Sequence, residues 1–276
     1  MFIILTGSSG VGKNTVITEI EKRHDNFKLM PTYTTREKRP NEVDGYPFYY
    51  ISKDEFQQKI KEGELIEYEH IHNNFYGSSY KILNDNLKED IVLIKDLGIE
   101  GAQNLTHKIS SITPVKKIFL TTTKHELKRR LKGRGEKQIK LRLKRYKREQ
   151  KEINKFDYII YNYDLDETCN FIRDIYDKEL DEILPTKVVD KISIRKVNKY
   201  VSKLQTGKVL KPVQVQIENG DIYIIKGHEK FIAGILTNKL VAKVIVKGKK
   251  INKLEPAQIM EWKSLIHDSE HMSEEE

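Results

Sequence analysis

Along the first 180 residues, short apolar runs alternate with stretches whose apolar positions recur every three or four residues. FIILTG at 2–7, IVLIKDLG at 91–98, KKIFLTT, and FDYIIYN at 156–162 have the length of buried strands and are rich in β-branched and aromatic residues. TVITEIEKRH, EGAQNLTHKI and DLDETCNFIRDIYDKEL carry the helical period, and the last opens with the acidic residues that suit a helix N-terminus. Strands alternating with helices predict a three-layer α/β domain around a mostly parallel sheet.

After Leu184-Pro185 the pattern changes. VQVQIENGDIYIIKG and VAKVIVKG read as strands on either side of a helix around FIAGILTN, and Asn219-Gly220 marks a hairpin turn. A boundary near 181–187 divides the chain into residues 1–183 and a smaller α+β domain at 186–266. The polar, acidic segment HDSEHMSEEE makes 267–276 an expected disordered tail. No internal repeat is visible.

Composition narrows the classes. The 276 residues, 38% of them hydrophobic, suffice for a buried core. No apolar run approaches the ~18 residues that span a bilayer, and residues 2–5 are too few for a signal-peptide core. A cytosolic protein without a membrane partner is expected. Cys169 is the single cysteine, so an internal disulfide is excluded, and no neighbouring ligand makes it a metal site. It reads as core. The net charge of +9 calls for an anionic partner, whether nucleotide, nucleic acid or acidic surface, and the basic residues concentrate at 124–151.

Candidate chemistry begins at GSSGVGKNT. Gly7, Gly10 and Gly12 let backbone N–H groups approach phosphate oxygens, with Ser8, Ser9 and Val11 between them, and Lys13 reaches a transferred phosphate. A strand before and a helix after complete the context of a phosphate-binding loop. The usual pattern places a hydroxyl after the lysine to hold Mg²⁺, yet that position is Asn14, with Thr15 one residue later. Either residue is a candidate for the metal, partly through water.

Three further segments follow in order: PTYTTREKRPNEVDGYPFYYIS at 31–52, GELIEYEHIHNNFYGSSY at 63–80, and RRLKGRGEKQIKLRLKR at 129–145. With TTR-x-x-R, the Glu-Val-x-Gly after it and the aromatic-Tyr-Gly-Ser element behind the loop, residues 1–180 resemble guanylate kinases. The resemblance implies a P-loop nucleoside monophosphate kinase fold, ATP and Mg²⁺, and GMP or dGMP as acceptor. It also implies roles: Arg36, Arg39 and Tyr76 on the acceptor phosphate, Glu67 on guanine N1 and N2, Thr32 and Ser78 hydroxyls at O6, and Asp96 as the first acid of a D-x-D-x-Q-G element at the substrate. Arg130, Arg134 and Arg142 match lid arginines that close over ATP. Two arginines three apart also suit a forked grip on a monophosphate, and a carboxylate facing two ring donors favours guanine over adenine.

The chain departs from the family besides Asn14. Phe48 stands where the family carries a tyrosine contacting the acceptor phosphate, with Tyr46, Tyr49 and Tyr50 as alternative sources of a phenol, and Gly98 replaces the second acid of a D-x-D element. That loss bears on efficiency and on base preference, and a modified deoxynucleotide remains open as acceptor. His70 and His72 flank Ile71 with no third ligand, so they read as solvent-exposed.

Residues 186–250 resemble the ParB/sulfiredoxin-like fold, with Gly227, His228, Glu229, Lys230 and Ala233 standing at its G-x-x-R-x-x-A element. Lysine at 230 gives up a bidentate phosphate fork, and without a cysteine sulfiredoxin chemistry is excluded. His228 reads equally as a phosphate or metal contact and as a capping or packing histidine. The expectation is an ATP-dependent GMP or dGMP kinase with an appended domain that binds a nucleotide, a nucleic acid or another anion. The alternative is a nucleic-acid- or partner-binding protein whose kinase fold is vestigial. Oligomeric state stays open.

Overall fold

The computed structural model describes residues 1–40, 42–71, 73–87, 90–176, 178 and 182–271, with no side-chain description for 267–271. They form two compact units, Met1–Lys117 and Ile118–Glu276.

In the first unit the run at residue 2 becomes β1 (Phe2–Thr6), and the glycine loop leads into α1 (Lys13–Arg23). β2 (Phe27–Leu29) and β3 (Thr32–Thr34) follow, then the short β4 (Val43–Asp44), β5 (Pro47–Tyr50) and α2 (Lys53–Lys61). Ser52 caps α2 in a reciprocal box with Glu55, which satisfies two otherwise orphaned N–H groups. β6 (Leu65–Ile71), β7 (Asn74–Ser79), α3 (Tyr80–Asn86), β8 (Val92–Asp96) and α4 (Ile99–Ile109) complete the unit. β8 pairs in parallel with β1 and with β2, registering Phe2 on Leu93 and Phe27 on Val92. Every residue of β1 is buried, and so are Val92 to Lys95 of β8, as a parallel sheet covered on both faces requires. A second sheet runs β4-β5-β3-β7-β6. Its strands β3 to β5 run only two to four residues and are mostly unburied, so they lack the apolar runs that announce the central strands.

The second unit takes in the end of β9 (Val115–Thr121), which crosses the division. It continues with α5 (Lys124–Gly133), α6 (Ile139–Glu149), β10 (Tyr158–Tyr161) and α7 (Leu165–Tyr176). Cys169 on α7 is fully buried, as its core reading requires. Then come α8 (Ile194–Gln205), β11 (Val213–Glu218), β12 (Asp221–Lys226), α9 (His228–Leu236), β13 (Lys243–Ile245) and α10 (Pro256–His271). Asn219 and Gly220 both take positive φ, 54° and 83°, and close the β11–β12 hairpin, the geometry an Asn-Gly pair adopts in a two-residue turn.

The compact units part at Lys117, not near 181–187 where the residue pattern changes. Within the second unit β10 pairs in parallel with β9 and with β13, and β13 pairs in parallel with β11. The backbone N–H of Lys243 donates to Asp157 O at 2.9 Å, so the strands after residue 186 extend the sheet that β10 belongs to. A new residue pattern marks a new segment, while hydrogen bonding decides whether that segment has its own sheet. α10 also runs to His271, through the first half of the tail expected to be disordered. Residues 272–276 and His72 lie outside the described residues. Among the described residues no helix is long and apolar enough to cross a membrane.

Candidate active site

The loop residues sit between β1 and α1. Gly12 is the N-cap of α1 with φ 102°, and Gly10 has φ 97°. Both conformations favour glycine, and a Cβ-free backbone lets N–H groups face an anion. Lys13 Nζ donates to Gly7 O at 2.6 Å and lies 3.7 Å from Asp96 Oδ1. Desolvation pushes the Asp96 carboxyl above the ordinary aspartate value, against the pull of Lys13 and Lys95. Ser8 and Val11 are buried and anchor the loop, while Asn14 and Thr15 are exposed on the first turn of α1. The amide and hydroxyl oxygens of Asn14 and Thr15 and the Asp96 carboxylate are hard donors of the type Mg²⁺ takes together with water, so the residues present fit the ion.

The stretch from β3 to β5 builds a second cluster. Arg36 Nη2 reaches both oxygens of Glu42, at 2.8 and 2.9 Å, and the Arg36 guanidinium lies 5.4 and 5.5 Å from the ring centroids of Phe48 and Tyr50. Glu42 Oε2 also accepts from the Arg39 backbone N–H at 2.9 Å and from Tyr50 OH at 2.7 Å. These bonds, the Arg39 N–H foremost, hold the Glu42 carboxyl down at about 2 against its desolvation. Tyr76 meets the edge of Phe48, with centroids 5.9 Å apart, whereas the Arg39 side chain is exposed. Of the three alternative tyrosines, Tyr50 joins this cluster, 3.5 Å from Arg36 Nη2. Tyr46 bonds Glu21 at 2.7 Å, and Tyr49 packs on Tyr33.

A third cluster lies where β3, β6, β7 and β8 come together. Glu67 is 8% exposed and accepts from Ser78 Oγ in a short hydrogen bond. Thr32 Oγ1 accepts from Lys95 Nζ at 2.5 Å. Lys95 is 2% exposed, and desolvation lowers its ammonium to about 8 against the support of Glu67 and Asp96. Ser78 was expected to donate alongside Thr32; instead its proton is directed to Glu67. A Cβ built on Gly98 would meet only Glu69 Oε1, at 3.6 Å, and one on Gly101 would meet the same oxygen at 3.1 Å. A carboxylate from β6 therefore stands beside the position whose own acid is missing. Glu69 and Lys95 were not singled out from the sequence, because strand alternation and a buried run do not reveal which neighbours they meet.

The arginines at 130, 134 and 142 belong to the second unit. Arg130 Nε donates to Glu126 Oε1 and its Nη2 to Asn162 O, both at 2.7 Å. Glu136 Oε2 lies 3.2 Å from Arg134 Nη2 and 3.4 Å from Arg142 Nε. The Gln138 N–H and these arginines hold the Glu136 carboxyl below the ordinary glutamate value despite desolvation. One carboxylate thus keeps two of the three arginines together.

In the later segment, Gly227 has φ 101° and caps α9. His228 is buried, its Nε2 accepts the Thr186 N–H at 3.1 Å, and its ring stands edge-on to Trp262. Burial lowers it to about 4, so it is neutral at pH 7. Glu229 pairs with Lys187 at 2.6 Å, and Lys230 Nζ donates to Lys211 O at 3.3 Å.

A glycine-rich loop whose lysine faces an aspartate shares one unit with the Arg36–Glu42 and Glu67–Ser78 clusters, and comparison with known proteins places the chain in the class of nucleoside monophosphate kinases. The guanylate kinase family model matches residues 1–179. The chain belongs to the guanylate kinase family. It is 33% identical over 169 residues to the guanylate kinase of Prochlorococcus marinus subsp. pastoris, covering 60% of this chain and 91% of that one. The guanylate kinase of Clostridioides difficile is 32% identical over 188 residues, covering 66% of this chain and 90% of its own length. A crystal structure of guanylate kinase from Anaplasma phagocytophilum shares 26% identity with a TM-score of 0.49, over 64% of this chain and 84% of that chain.

Proposed function

We propose that the chain transfers the γ-phosphoryl group of ATP to GMP or dGMP. The observation that carries this reading is the presence, in one compact unit, of the Lys13 loop, the Arg36–Glu42–Tyr50 cluster and the Glu67–Ser78–Thr32–Lys95 cluster. In this reading the loop N–H groups and Lys13 hold the ATP phosphates, leaving Gly7 O when the nucleotide arrives. Arg36, Arg39 and Tyr76 hold the acceptor phosphate, and Tyr50 supplies the phenol that Phe48 lacks. Glu67 accepts from the base N1 and N2 groups, with Glu69 beside it. Mg²⁺, held by Asn14 or Thr15 and water, would neutralise charge on the transferred group, and Arg130, Arg134 and Arg142 would add to that neutralisation. Catalysis is then positioning and electrostatic stabilisation, with no side-chain nucleophile.

The test is ADP release from ATP with GMP, dGMP, AMP, dTMP, CMP and a modified deoxynucleotide offered in turn. GMP or dGMP is expected to lead, and Lys13→Ala to abolish turnover without loss of fold. No activity with any acceptor, or near-normal turnover in the alanine variant, would overturn the assignment. For residues 186–266, ParB-like anion or nucleic-acid binding rests on the lysines and on the Gly227 turn at the head of α9. Salt-sensitive binding of a DNA duplex is its expected sign.

A further inference from the structure

β8 carries a residue to which the kinase reading assigns no role of its own. In a parallel strand covered on both faces every position is normally apolar, and Val92, Leu93 and Ile94 obey this. Lys95 follows them, 2% exposed, although lysine is almost never fully buried without a partner. Its partners are specific: the ammonium donates to Thr32 Oγ1 at 2.5 Å, and Glu67 and Asp96 supply the opposing charge.

Hydrogen-bond polarity gives this contact its consequence. A hydroxyl has one proton to donate and two lone pairs to accept with, whereas an ammonium only donates. Thr32 must therefore accept from Lys95, which leaves its own O–H to be donated elsewhere. Ser78 is polarised the other way, since its O–H goes to Glu67. Of the two hydroxyls at this site, only Thr32 has a proton left for an acceptor atom on a bound ring. The ammonium takes one of the two lone pairs of Thr32 and polarises its O–H, which makes the hydroxyl a stronger donor and a weaker acceptor at the lone pair that remains.

We propose that Lys95 is a positioning residue for base selection: by taking one lone pair of Thr32 and polarising its O–H it favours that hydroxyl as a donor, so the site prefers purines bearing a carbonyl oxygen at C6. This rests on the reading that the Glu67, Ser78 and Thr32 cluster holds the base of the acceptor. A purine with an amino group at C6 would find only the weakened second lone pair of Thr32, and one with hydrogen at C6 would leave the Thr32 proton without a partner. Sites built around such bonds reject analogues that lack the matching atom.

The experiment uses the full chain and compares GMP, AMP and 2-aminopurine riboside 5′-monophosphate, which keeps the 2-amino group and has hydrogen at C6. Steady-state KM and kcat and equilibrium binding of each nucleotide are measured for the wild type, Lys95→Met and Thr32→Val. In Lys95→Met the preference for GMP over the 2-aminopurine nucleotide is expected to narrow on the order of tenfold, through KM and binding, with kcat moved far less. Thr32→Val should narrow it similarly, and the double variant should add little, since one residue acts through the other. If Lys95→Met fails to fold, Thr32→Val alone must still show the narrowing. An unchanged preference in both variants, or an equal loss for all three nucleotides, overturns the proposal. A wild type that phosphorylates no purine monophosphate overturns the kinase reading and this inference with it, whereas wild-type activity on GMP with an unmoved preference overturns this inference alone.

Discussion

At the scale of single residues, Glu42 gathers more bonds in the cluster from β3 to β5 than any arginine does. It takes two bonds from Arg36, one from the Arg39 backbone and one from Tyr50. Phe48 and Tyr50 lie two apart on β5, and side chains two apart share a face, which is how the Arg36 guanidinium comes to cover both rings. A phenol lost at residue 48 is thus available at residue 50. Tyr50→Phe is expected to raise the GMP KM about ten- to a hundredfold, the consequence of losing a hydrogen bond to a charged group worth ~1.5–3 kcal/mol. Phe48→Tyr in that background should recover part of the loss. Steady-state kinetics decide it, and an unmoved KM in Tyr50→Phe would remove Tyr50 from the site.

Among the elements, α9 shows how a motif legible in sequence takes its meaning from packing. The glycine, histidine, glutamate and lysine that open it resemble an anion-binding turn, yet the histidine ring is spent on the Thr186 N–H and on Trp262. Its value in the folded chain falls to about 4, below the ordinary histidine value of 6.5, because burial penalises the charged ring. The unfolded chain therefore binds more protons between pH 6.5 and 4. The stability contributed by the neutral ring is complete above pH 6.5, is lost as the pH falls, and levels off below about 4. The shift corresponds to about 3 kcal/mol at most. Denaturant unfolding between pH 7 and 4 is expected to show this slope in the wild type and a shallower one in His228→Gln. Parallel slopes would mean that the histidine is not buried neutral. The central strands, by contrast, were legible as elements from their runs, because strands buried on both faces must be apolar throughout. The short strands β3 to β5 were not, since half-buried segments of two to four residues carry too little period to detect.

For the whole molecule, the position before Glu149 of every residue that the kinase reading assigns to ATP or to its acceptor predicts that residues 1–185 retain turnover within about threefold. Their stability is expected to fall, because removing β13 strips hydrogen bonds from β10 and opens its edge. Turnover and the thermal midpoint of the truncated chain measure the two effects separately. A folded but inactive truncation would show that the later segment completes the site. The alternation of strands and helices, the glycine loop and the residues that resemble a guanylate kinase were legible along the chain, because periodicity, glycine chemistry and charge are local properties. That the sheet crosses residues 181–187, that Tyr50 joins Arg36, that Glu69 faces Gly98 and that Lys95 donates to Thr32 came only from the fold. Each of these joins residues on different strands or across a turn, and such contacts depend on register and burial, which no single stretch of sequence specifies.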